Sequence, residues 1–231
     1  MYLRDVELLR PERQNRPPTP TAASSAGPSK RAACANPIDA TARTIITSAQ
    51  DTTQGIWNRG VSTVWSILRT YYPSEAGKVS AVVYVERVPG LITTRVGTEP
   101  AATGVISVGR YFTEHTTDQF FARRVLQVGH ELRHIDQWRA GMIGPARKAE
   151  REFSAHCWTA LTPEKPGTGC MYHATRVDII DAALGNLNCL SAPVRAKHAR
   201  EETALMALRP REQAASGRPA TSPPTTCKPS H

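Results

Sequence analysis

The stretch "VLQVGHELRHIDQW", residues 125 to 138, constrains the fold more than any other, because it fixes a helix and what each face of that helix must do. At about 100° per residue, Phe121, Val125, Val128, Leu132 and Ile135 recur at helical spacing and make one apolar stripe, which must face a core. His130 and His134 fall on the opposite side with Gln127 and Gln137 beside them. The helix therefore buries one face and presents two imidazoles together on the other.

Side chains at i and i+4 are neighbours, so both imidazoles can reach one metal ion at ~2.0–2.1 Å. Glu131 lies further round the helix, outside the ligand plane but close enough to take a proton from a water activated at the metal. Two nitrogen ligands with a carboxylate left free as base is the division of labour of a hydrolytic zinc site. With seven His and thirteen Glu in 231 residues, His-Glu-x-x-His arises by chance about 0.01 times in a chain of this length. Solvent-facing histidines on an ordinary amphipathic helix would explain a lone histidine better than this pentad.

A catalytic zinc site needs a third protein ligand and an open position. "RAGMIGP" stops the first helix and turns the chain, with Pro145 suited to open a new helix. "ARKAEREFSAHCWTAL" should then run back antiparallel. Its carboxylates are Glu150 and Glu152, and the small neighbours Ala149 and Ala155 favour Glu152 because they allow close approach. Glu150 and His156, the latter one turn beyond Glu152, compete for the same role.

From "VSAVVYVERV" through "TGVISVGRYF" to "HELRHIDQ" and "EREFSA", residues 79 to 161, the chain resembles the zincin-type metallopeptidase domain associated with extracellular contractile injection systems and polymorphic toxins. The specific part of the match is the pentad, Gln137 and the downstream Glu-x-x-Ala. The resemblance implies a gluzincin arrangement, a zinc endopeptidase in which His130, His134 and Glu152 hold one Zn²⁺ and Glu131 is the base. It also implies that "TGVISVGRY" is the sheet edge beside the cleft, where Val105, Ile106 and Ser107 would bind an extended peptide or protein substrate through backbone hydrogen bonds. Tyr172, His173, His115 and Tyr111 are candidate donors to the oxyanion, with surface or packing roles as the alternative for each. Arg133 and Asp136 depart from the zincin preference for uncharged residues inside the pentad and apolar ones after it.

Eleven of the eighteen prolines lie in residues 1–37 and 210–231, where Tyr2 is the one aromatic residue. These segments read as disordered tails around a folded domain at 38–209. The net charge of +9 invites a nucleic-acid reading, but the tails carry +5 of it, and no basic stripe interleaved with aromatics and no nucleic-acid module is visible. Nucleic-acid binding is therefore not expected as the main function. "MYLRDVELLRPERQ" is charged where a secretory signal would be apolar, and no run approaches the ~18 apolar residues of a membrane span. A cytoplasmic protein is the expectation, with export by a specialised secretion system open. Five cysteines without Cys-x-x-Cys spacing indicate reduced thiols, Cys157 being a buried helix cysteine.

Residues 41–70 read as helical with their tryptophans in the core. Residues 79–88 and 104–112 read as strands, and "RVDIIDAALGNLNCL" and "AREETALMALR" as later helices. The expected fold is α+β and mostly helical, with a small antiparallel sheet against the two ligand-bearing helices. Two classes of function follow: a zinc peptidase, or a metallopeptidase-like binding or scaffold module of a secretion or injection particle.

Overall fold

Residues 35–229 are described by a computed structural model, in which three strands and eight helices follow one another. Helix α1 (Ala40–Gln50) begins at Asp39, whose carboxylate accepts the Ala42 N–H at 2.7 Å. It ends at a turn in which Asp51 accepts from the Thr53 amide and hydroxyl, and α2 (Ile56–Tyr71) starts beyond it. The region expected to be helical over 41–70 is thus two helices, separated at "DTTQG". Trp57 at the start of α2 is 60% exposed, so it does not join the core.

Strands β1 (Val79–Tyr84), β2 (Leu91–Val96) and β3 (Thr103–Val108) form one sheet in the order β1-β3-β2. β1 pairs with β3 in parallel and β2 pairs with β3 antiparallel, so the sheet is mixed, not antiparallel as expected. The reason is β2 itself. It occupies the connection between the two strands that are legible in the sequence and runs back along β3, which leaves β1 and β3 pointing the same way.

After the short α3 (Arg110–Glu114), helix α4 (Phe121–Arg139) crosses the centre. All five residues of its apolar stripe are buried, packed with Val64, Ile67 and Leu68 of α2 and with Ile106 and Val108 of β3. Asp136 is accommodated by Lys78 at 2.5 Å, and the Arg133 guanidinium lies 4.9 Å from the centroid of the Trp158 ring. Helix α5 (Lys148–Leu161), α6 (His173–Leu187), α7 (Ala192–Lys197) and α8 (Ala199–Ser216) follow. Phe153, Ile180, Leu184 and Leu205 of α5, α6 and α8 make a second core. The result is a mostly helical α+β fold.

The C-terminal tail departs from expectation. α8 continues to Ser216 and stops at Gly217, whose φ of 68° suits the left-handed residue that ends a helix. The chain then returns across α6. Arg209, 5% exposed, pairs with Asp181 at 2.6 Å and donates to Thr221 O at 2.7 Å, while the Lys228 amide donates to Gly185 O at 3.1 Å. Cys189 and Cys227 form a disulfide, and Cys170 is disulfide-bonded as well, so among the described residues the reduced-thiol expectation holds only for the free, buried Cys157. A proline-rich segment too poor in apolar area to order itself is held here by backbone hydrogen bonds and a covalent link. At the other end, residues 1–34 of the expected tail lie outside the described residues. Asn36, within that tail's limits, clamps the 165–169 loop through Lys165 O at 2.8 Å, Gly169 O at 2.9 Å and the Gly167 amide at 2.8 Å. Among the described residues no helix is long and apolar enough to cross a membrane.

Candidate metal centre

α4 and α5 form an antiparallel hairpin, because Gln137 meets Arg151, His134 meets Glu152 and His130 meets Thr159 in reversed order. Gly129 sets how close they come. A Cβ there would lie 2.3 Å from Cη2 of Trp158 and 2.5 Å from Oη of Tyr72, the hydroxyl that donates to Val125 O at 3.0 Å. Glycine just before the pentad thus lets a tryptophan and a tyrosine pack flat against the helix that carries the histidines.

One nitrogen each of His130 and His134 and one oxygen of Glu152 lie within 4.8 Å of one another. His130 Nε2 is 3.8 Å and His134 Nε2 is 3.6 Å from the Glu152 carboxylate. The other ring nitrogens are engaged. His134 Nδ1 is 3.0 Å from Oε1 of Gln137, whose amide NH₂ donates to Arg151 O at 2.9 Å. An amide oxygen only accepts, so His134 carries its proton on Nδ1 and leaves the Nε2 lone pair free. Thr159 Oγ1, 3.3 Å from His130 Nδ1, already donates to Ala155 O at 2.8 Å, so it too accepts and fixes the same tautomer. Both free lone pairs point to the side where Glu152 sits, and this is the donor set of a three-ligand N,N,O metal site.

Charge states suit ligation. Burial, then the neighbouring His130, lowers the pKa of His134 and keeps it neutral at pH 7. For Glu152 burial works to raise the pKa, but the hydrogen bond to His130 and the charges of the three histidines outweigh it and hold the carboxyl below its usual value. His156 stands outside the triad on the cleft wall, its ring 4.6 Å from that of His130, and burial followed by His130 pushes its pKa down to about 3. Glu150 is turned away toward His198, 3.5 Å distant. Glu152 is therefore the carboxylate that the fold brings to the histidines.

Glu131, 5% exposed, does not join them and accepts from the Thr93 hydroxyl at 2.8 Å. Thr93 belongs to β2, and with Leu91 and Ile92 it lines a cleft of about 530 Å³ that also contains the histidines, Glu131 and Glu152. β2 and α4 flank this cleft in the same direction. A Cβ at Gly90 would come 2.8 Å from Gln127 Nε2, Thr93 meets Glu131, and a Cβ at Gly104, the partner of Arg95 across the sheet, would come 2.6 Å from Ile135 Cδ1.

The expected substrate strand is corrected here. Val105, Ile106 and Ser107 lie on β3, the central strand, with both edges paired and Ile106 fully buried, so no peptide can add to it. The edge strands are β1 and β2, and β2 is the one that lines the cleft. Tyr172 and His173 do not line the cleft; Tyr172 packs 5.8 Å from Phe120, and His173 contacts Glu212 at 2.6 Å. Tyr111 and His115 stack on each other at 3.9 Å, also away from it. Sequence reasoning passed over Thr93, for which no local signal exists, and Thr159, which seven-residue spacing from Glu152 on the α5 face would have revealed. Comparison with protein-family models, curated proteins and solved structures gives no match.

Proposed function

We propose that the protein is a zinc-dependent endopeptidase in which His130, His134 and Glu152 hold one ion, Glu131 is the general base, and an extended peptide or protein substrate lies along β2. The observation that carries this reading is the separation of the two carboxylates. Glu152 converges with the histidines within 4.8 Å, whereas Glu131, on the same helix as both, is kept out of the set by the hydroxyl of Thr93. A structural zinc site is closed by four protein ligands; three ligands with a spare carboxylate on an open cleft fit catalysis. The zincin resemblance of the sequence supports the same assignment.

Zinc, when bound, supplies a Lewis acid that polarises a carbonyl and lowers the pKa of a coordinated water toward ~7. The chain does the rest. Gln137 and Thr159 hold the imidazoles in the ligating tautomer, and Glu131 accepts the water proton and returns it to the leaving amine. The exposed edge of β2 offers backbone N–H and C=O groups that align a substrate's main chain without reading its side chains. The Cys189–Cys227 disulfide fits oxidising surroundings, and so favours action after export over residence in a reducing cytosol.

Glu131→Gln preserves volume and removes the proton acceptor. Zinc stoichiometry should stay unchanged while hydrolysis of unstructured polypeptides falls by ~10²–10⁴-fold. A variant as active as wild type would overturn Glu131 as base. If zinc-loaded wild type cleaves nothing across a broad peptide library, the chain is a binding or scaffold module instead.

A further inference from the structure

We propose that the cleft selects peptides with acidic side chains on both sides of the scissile bond, and that Arg123 and Lys148 read them. This rests on the peptidase reading above and deepens it to a substrate class. Arg123, Lys148 and Arg151 line the cleft, and its only carboxylates are Glu131 and Glu152, both already committed. Arg151 is tied to the turn between the helices through Met142 O at 3.2 Å and Gly144 O at 2.9 Å. Among the described residues, the side chains of Arg123 and Lys148 make neither an ion pair nor a hydrogen bond. Inside the cleft, then, two cationic side chains have no carboxylate of the protein to meet, unlike Arg176 and Arg209, which each pair with one.

Arg124, the next residue in the chain, is 1% exposed and donates to neutral oxygens, those of Gln127, His115 and Tyr111, so it brings no carboxylate to this end either. Substrate carboxylates are the counter-charge that this end of the cleft lacks.

The two basic residues sit on opposite sides of the metal centre along the line a substrate would follow. β2 and α4 run in the same direction, so a peptide on the β2 edge travels along the α4 axis. Arg123 lies seven residues before His130, ~10 Å along the helix, which is about three residues of extended chain. Lys148 lies one turn before Glu152 on the antiparallel α5, and so about 6 Å beyond the centre in the other direction, or about two residues of substrate. A free C-terminal carboxylate would use one basic end only; two ends fit an endopeptidase that reads internal Asp and Glu.

The test uses zinc-loaded full-length protein and C-terminally amidated, unstructured peptides that carry Glu, Gln or Lys two or three residues from a mapped cleavage site. Glu should raise kcat/KM over Gln by about threefold to tenfold at each side, the size expected of a partly exposed charge pair, and 0.5 M NaCl should erase the gain. Arg123→Glu should invert the preference to Lys on one side of the scissile bond, and Lys148→Glu on the other. Equal cleavage of Glu and Gln peptides, or reversal variants that leave the preference as it was, would overturn the proposal. Fluorescence anisotropy with zinc-loaded Glu131→Gln separates this from the catalytic reading. Tighter binding of the Glu peptide than of its Lys counterpart supports acidic selection even if wild type hydrolyses nothing, and equal binding overturns it even if wild type is an active peptidase.

Discussion

Gln137 touches no reacting group, yet it decides which nitrogen of His134 is free. Its carbonyl takes the Nδ1 proton and its amide is anchored on Arg151 O, so one side chain joins α4 to α5 and sets a tautomer. Gln137→Leu keeps the volume and removes both bonds. Zinc affinity measured by chelator competition should fall by about 10–100-fold, the usual cost of losing a ligand's outer partner; a change below threefold would mean that packing alone orients His134. The site histidines also predict a pH dependence for the metal-free protein. Burial, then His130, pushes His156 down to about 3, and burial lowers His134 in the same sense. Unfolded, both titrate near ~6.5. Stability is therefore full above that pH, and it falls as pH drops because the unfolded chain takes up protons that the folded one refuses. For His156 the loss approaches about 1.4 kcal/mol per pH unit, and His134 adds to it in the same sense. Urea midpoints between pH 7 and 5 should drop less steeply for His156→Asn, and equal slopes would show that His156 protonates without unfolding.

At the scale of elements, what the sequence reveals depends on how local the cause is. The α4 stripe is a 3.6-residue pattern set by burial of one face, and every member is buried. The pentad is legible for the same reason, since i and i+4 meet on any helix. β2 was not legible. Of its six residues only Leu91 is buried, and its pairing with β3 is decided across the sheet, not within the segment. Because β2 pairs along β3, β3 is central and the sheet is mixed, against the edge position that the zincin resemblance implies. The sequence points to Ala149 and Ala155 for the close approach of α5 to α4, but Gly129 carries a steric demand there as well. Gly129→Ala drives a methyl into the Trp158 ring and the Tyr72 hydroxyl, and overpacking of this kind costs about 1–3 kcal/mol. Chemical denaturation should detect it, and an unchanged midpoint would mean that the two rings move aside freely.

Across the whole molecule, the candidate metal centre lies where two cores meet. His130 and His134 come from the helix that packs on the sheet, and Glu152 from the helix that packs on α6 and α8. Anything that loosens the second core should therefore be felt at the third ligand. The C-terminal strap braces that core from outside: Arg209 reaches Asp181 and Thr221, Gln213 donates to Pro219 O at 2.9 Å, and Cys227 is bonded to Cys189 across 38 residues. Composition alone makes the segment look dispensable, because proline and threonine bury little. The ordering comes from partners on α6 and α8 that no property of the segment announces. A chain truncated after residue 209 should then be less stable than full-length protein, since it loses a disulfide of the kind worth about 2–4 kcal/mol together with the last turns of α8. At this size that is roughly 5–15 °C in melting temperature. Cys227→Ser isolates the covalent part and should account for most of the drop. A truncated protein that melts within about two degrees of full length under oxidising conditions would show that the strap lies on the second core without supporting it.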